Sequence, residues 1–206
     1  MNAGRRDWAL GVGRWELTSA KALGRLACLV LLAIVGTGAR TECHRLDEYL
    51  QAARVDLDLT RVEVRLALTP GVDVADTIVR DIDTDHDGAL SSNERTAYVS
   101  RVLDALHVDV DGHAVRLLAI SSHVPAAADL RGGEETITIR AGSEIPALAP
   151  GAHRVRVKNT HHAEIGAYLA NALVPETSRI EIKEQQRNPD QSDLTIDYVV
   201  RAARFH

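Results

Sequence analysis

Strict alternation of apolar and polar residues does most to limit how this chain can fold. From Arg54 to Leu59, Val55, Leu57 and Leu59 fall on one face and Asp56 and Asp58 on the other. From Val62 to Leu68, Val62, Val64, Leu66 and Leu68 alternate with Glu63 and Arg65. A period of two describes strands with one buried face. The short link at Thr60 and Arg61 predicts a hairpin, which Pro70 and Gly71 end. Alternation returns at Val108 and Val110, at Thr136 to Arg140, His153 to Val157, Arg179 to Ile182 and Leu194 to Val200. Asp111-Gly112 predicts a hairpin turn leading into Val115 and Leu117. Seven or eight short strands predict a mainly β fold, an antiparallel β-sandwich-like domain. Aromatic residues are 3% of the 206, so Val, Leu, Ile and Ala must supply the core.

The period changes after Gly71. Val72, Ala75, Ile78, Val79 and Ile82 recur at helical spacing, with Asp73 and Asp76 near the positive end of the helix dipole. A second helical stretch runs from about Asn93 to Leu106, with Ala97, Tyr98, Val102, Leu103 and Leu106 on one side. A helical pair is therefore expected inside the β-domain.

Between the two helices stands Asp83-Thr84-Asp85-His86-Asp87-Gly88-Ala89-Leu90-Ser91-Ser92-Asn93-Glu94. Calcium is a hard cation that takes six to eight oxygens. Asp83, Asp85 and Asp87 place alternate carboxylates toward one point, and Gly88 permits a sharp turn at positive φ. Ala89 needs to offer only its carbonyl oxygen. Ser91 can supply a hydroxyl or hold a bridging water. Glu94, at the start of the second helix, can close the site with both carboxylate oxygens, and Leu90 suits a short padding strand. The segment from Val72 to Leu106 resembles the EF-hand family, and the resemblance implies calcium as the ligand. EF-hands usually pair, and one loop is present here. Asp109-Val110-Asp111-Gly112 lacks the spacing to a closing Glu and reads as a hairpin turn. The single hand is expected to lean on the β-domain or on a second copy.

The N-terminus reads as an address. Lys21 and Arg25 precede the apolar run Leu26 to Val35, and Gly36, Thr37, Gly38 and Ala39 follow. A basic region, about ten apolar residues and a small-residue exit describe a secretory signal peptide over residues 1–39. Cleavage after Cys43, or an uncleaved anchor, are the alternatives. Residues 40–206 then form a single exported β-domain, periplasmic or extracellular. The first 39 residues hold five basic and two acidic side chains, which leaves 19 basic against 27 acidic and a net charge of −8. That balance suits a cation and argues against a nucleic-acid partner. At most Cys43 survives processing, so no internal disulfide is available.

The remaining signals are weaker. Nine histidines include the adjacent His161-His162 and His44 near the expected mature N-terminus. None forms an HxxxH or HExxH pattern, and scattered loop and strand-edge positions are the ordinary reading. No Gly-x-Ser-x-Gly elbow, phosphate loop or zinc-protease motif is present, so no enzyme is expected. Glu164 to Pro175 reads as a core segment. His44 to Gln51, the Val-rich hairpin, the embedded loop and Tyr168 to Pro175 together resemble the extracytoplasmic N-terminal region of certain bacterial membrane proteins. Those are relatives of nickel transport and nickel-accessory proteins. This chain shows none of their membrane segments after residue 44, so transport does not carry over. The expectation is a calcium-stabilised binding or interaction module with an unidentified protein or membrane-protein partner. A histidine-based nickel accessory protein stands second and an unrecognised hydrolase third.

Overall fold

The computed structural model describes residues 46–133 and 135–203. The signal-peptide segment, both cysteines and His44 lie outside the described residues. Among the described residues, ten strands form two five-stranded sheets packed together. The strands are β1 (Tyr49–Leu57), β2 (Arg61–Pro70), β3 (Leu106–Val110), β4 (His113–Val115), β5 (Leu118–His123), β6 (Ile137–Glu144), β7 (Gly151–Asn159), β8 (Gly166–Ala172), β9 (Ile180–Arg187) and β10 (Asp193–Val200). One sheet has the order β5-β6-β2-β1-β8 and the other β4-β3-β7-β10-β9.

The alternation expected for β1 and β2 is present, with Val55 paired to Val64 and Leu57 to Val62. Val55, Val62, Val64, Leu66 and Leu68 face inward and meet Val155, Val157, Leu194, Ile196 and Val200 of the second sheet's strands in one core. The Asp111-Gly112 turn also forms, both residues adopting positive φ (52° and 79°), and it joins β3 to β4.

The expectation of a purely antiparallel sandwich is corrected at one place. β8 adds to β1 in parallel, Tyr49 opposite Gly166 and Val55 opposite Ala172. Ten strands replace the expected seven or eight. β5 went unread because all six of its residues are exposed and nothing alternates. The segment from Glu164 to Pro175 is not uniformly core. It contains β8, which buries Tyr168 and Ala170, while Leu169 points outward and Val174 is 90% exposed.

Three helices accompany the sheets among the described residues. Helix α1 (Val72–Ile82) buries Ala75, Ile78, Val79 and Ile82, as its spacing predicts, but Val72 is half exposed. Helix α2 (Ser92–Asp104) buries Tyr98, Val99 and Val102. Ala97 is exposed, and Leu106 opens β3 instead of ending the helix, so the helical insertion is shorter than 72–106. Helix α3 (Ala127–Gly132) is a single short turn that Gly133 ends at φ 68°. Arg131 of α3 pairs with Asp76 of α1 at 2.7 Å. The apolar faces of α1 and α2 belong to the same core as the strands. The helical pair therefore leans on the β-domain. Among the described residues no helix is long and apolar enough to cross a membrane.

Candidate metal centre

The loop between α1 and α2 starts where α1 runs out of helical residues. Asp83 caps α1 at φ −76° and ψ 84°, outside the helical region, its amide bonding the Val79 carbonyl at 2.8 Å. His86 and Gly88 then take positive φ of 60° and 84°. These two reversals coil the chain so that Asp83, Asp85 and Asp87 converge. One carboxylate oxygen from each lies within 4.8 Å of the others. Gly88 meets the φ requirement without strain, whereas His86 is a residue type that visits this region less often.

The loop's own amides steady the carboxylates. Gly88 N donates to Asp83 Oδ2 at 3.1 Å, Asp87 N to Asp85 Oδ1 at 3.2 Å, and Ala89 N to Asp87 Oδ1 at 2.8 Å. Asp85 and Asp87 are exposed, but Asp83 is only 5% exposed. Its Oδ1 is buried and has no hydrogen-bond partner. A buried carboxylate oxygen left without a donor is costly, because its water is lost and nothing replaces it. A cation bound among the three aspartates would supply the missing partner.

Glu94 departs from its expected place. It is buried, yet its oxygens stand outside the aspartate cluster. Oε1 accepts from Thr84 N at 2.6 Å and Thr84 Oγ1 at 3.0 Å, and Oε2 from Ser91 N at 2.9 Å and Ser91 Oγ at 2.8 Å. The Ser91 and Thr84 donors hold the Glu94 carboxyl down at about 2. Ser91 and Glu94 also form a reciprocal capping box at the start of α2. The ionised carboxylate takes up the amide and hydroxyl donors that the coiled loop sets beside it at Thr84 and Ser91. The Ser91 hydroxyl is spent on this cap. Leu90 lies in no strand and is buried in the core, so it fastens the loop to the domain without padding a second hand.

His161 stands in the turn that follows β7, where it is buried in a polar network. Tyr49 Oη and Tyr98 Oη share a hydrogen bond of 2.6 Å, and Tyr98 Oη lies 3.1 Å from His161 Nε2. Gln51 Nε2 and Tyr168 Oη both donate to the His161 carbonyl, at 2.7 and 2.9 Å. Asn159 donates to Gln51 and accepts from the His161 amide. Burial pulls the His161 imidazole down to about 4, with the charge of His162 adding to the effect. His162 goes the other way. Its ring nitrogens face Asp81 at 3.3 Å and Glu164 at 3.0 Å, and the Asp81 bond raises its pKa. Asp81 also pairs with Arg101 of α2. Both imidazoles thus have their side-chain partners inside the protein. One signal for this network stood in the sequence. Gln51 occupies an inward register position of β1, between Tyr49 and Ala53.

Compared with protein-family models, with curated proteins and with solved structures, the chain has no match.

Proposed function

We propose that this protein binds one calcium ion in a single EF-hand loop, and that the ion stabilises an exported β-domain acting as a binding or interaction module without catalysis. The convergence of one oxygen each from Asp83, Asp85 and Asp87, beside a buried Asp83 Oδ1 that has no hydrogen-bond partner, carries this reading. The donor set is all oxygen, which suits a hard cation. Asp83, Asp85 and Asp87 would hold the ion first, and the Ala89 carbonyl, Ser91 and Glu94 would complete the set once the ion's charge draws Glu94 and Ser91 out of their capping bonds. Bound calcium supplies positive charge that cancels the mutual repulsion of the acidic side chains. Magnesium is the poorer candidate, since it demands strict octahedral geometry and keeps its water.

The packing supports a role as a stabiliser and not as a sensor. Sensor hands open a groove between their helices. Here Tyr98 ties α2 to Tyr49 and His161, and Ile78, Val79 and Ile82 tie α1 to the core. Opening would strip that core.

Thermal unfolding of the metal-stripped protein tests the reading. Extracellular calcium modules bind at roughly 10⁻⁴ to 10⁻³ M. At calcium about a hundredfold above the dissociation constant, the gain is about 2.7 kcal/mol. For a domain of this size that is several degrees in Tm. The rise should be absent in Glu94→Gln and much smaller with magnesium. Equal Tm values with and without calcium would refute the proposal.

A further inference from the structure

Between β6 of one sheet and β7 of the other, the chain crosses through residues 145–150. This strap is fastened to the β1–β2 turn by two backbone bonds, Ile145 N to Thr60 O at 2.8 Å and Leu148 N to Leu59 O at 2.9 Å. Its other fastening is His153. The imidazole Nε2 lies 2.7 Å from the Ala149 carbonyl, and Nδ1 lies 2.7 Å from Asp111 Oδ2 in the β3–β4 turn. Beneath the strap is a slot of about 370 Å³ lined by Val110, Val115, Ile145, Pro146 and Leu148, with His153 at its rim.

Neither partner of the imidazole can donate. A carbonyl and an ionised carboxylate only accept, so both ring nitrogens must carry protons, and that is the imidazolium. A neutral ring has one N–H and must give up one of the two bonds. The carboxylate is the stronger acceptor and keeps it, leaving the Ala149 carbonyl without a donor. We propose that His153 is a pH-operated latch: protonated, it clamps the strap at Ala149 to the β3–β4 turn, and deprotonation frees the strap and opens the slot beneath it.

The surroundings set the direction. Burial pulls the imidazole down, but the Asp111 carboxylate and the Ala149 carbonyl outweigh it and hold its pKa above the ordinary value. His113 on β4 touches the Asp111 carbonyl. Arg154 gives its amide to Asp111 Oδ1 while its guanidinium is held by Asp197 of β10. The Tyr198 ring of β10 stacks on His153 with centroids 5.7 Å apart. Burial pushes that phenol up to about 12, so it stays neutral throughout. The latch is closed below the ordinary imidazole range and opens as the pH rises through the raised value.

The test is an NMR titration of the full chain from pH 5 to 9.5. The His153 resonance, assigned by its loss in His153→Gln, is followed together with amide protection factors corrected for intrinsic exchange. The His153 midpoint should exceed about 6.5. Above it, protection of Leu148 should fall several-fold while Ile196 in β10 is unchanged. Asp111→Asn should move both the midpoint and the loss of protection to lower pH. A Leu148 protection factor that stays constant while His153 titrates would overturn the proposal, as would a midpoint at or below the ordinary value. The wild-type titration decides alone should Asp111→Asn fail to fold.

Discussion

Asp83 holds one oxygen with a donor and one without, and that asymmetry organises the loop. Replacing it with Asn keeps the shape and removes one of the three clustered negative charges that attract a cation. Asp83→Asn should therefore lose calcium binding while the metal-free protein is no less stable, because less repulsion remains; chemical denaturation in a chelator checks this. Tyr98 is a second residue on which several elements depend. Its hydroxyl bridges Tyr49 and His161, which are 49 and 63 positions away in sequence. Tyr98→Phe leaves two buried polar groups short of a partner and should cost about 1–3 kcal/mol in urea denaturation. Gly166 is bound by space. A Cβ there would come within 2.7 Å of the Tyr168 ring and 2.9 Å of the His162 carbonyl. Gly166→Ala should destabilise by about 1–3 kcal/mol, with loss of the Tyr168 bond to His161.

Elements were legible in the sequence to the extent that each buries one face. β1, β2, β3, β7 and β10 alternate and stand where alternation predicts them. β5 has no buried face, and α3 is too short to show a period. The parallel pairing of β8 with β1 joins segments more than a hundred residues apart, with no turn chemistry between them to announce it. In the site, the spacing of Asp83, Asp85, Asp87 and Gly88 was readable because the loop is local. The turning of Glu94 toward Thr84 and Ser91 was not, because it depends on which donors stand free once the loop has coiled. The capping box gives the element-scale prediction for α2. Ser91→Ala should cost about 1 kcal/mol in the absence of calcium, measured by urea denaturation. A pH prediction belongs to the pairing of β2 with β6. Arg140 grips the buried Glu63 across the two strands, with Arg65 adding a further bond. Arg140 outweighs burial and holds the Glu63 carboxyl below its ordinary value. A depressed carboxyl stabilises above its unfolded pKa, about 4.3, and loses that contribution as the pH falls through the folded value. Glu63→Gln should cost about 1 kcal/mol at pH 7, water around the arginines screening the rest, and the difference should shrink toward pH 3.

For the whole molecule, the question is what holds together a domain for which no internal disulfide is expected. The two sheets share an aliphatic core, and the helical pair is embedded in its side and not hung from a linker. Anything that orders the loop between α1 and α2 therefore steadies the core itself. Tyr98, Gln51, Asn159, His161 and Tyr168 stitch α2, β1, β7 and β8 through one satisfied polar network. On the proposed calcium reading, this arrangement stands in for a partner hand, and the ion is expected to fasten the fold and not to switch it.

Calorimetric titration of the calcium-stripped protein with calcium, beside Glu94→Gln, decides whether the loop is a calcium site. A single site in the wild type and no measurable site in Glu94→Gln is the expected result. No binding up to several millimolar calcium, or unchanged binding in Glu94→Gln, would contradict it.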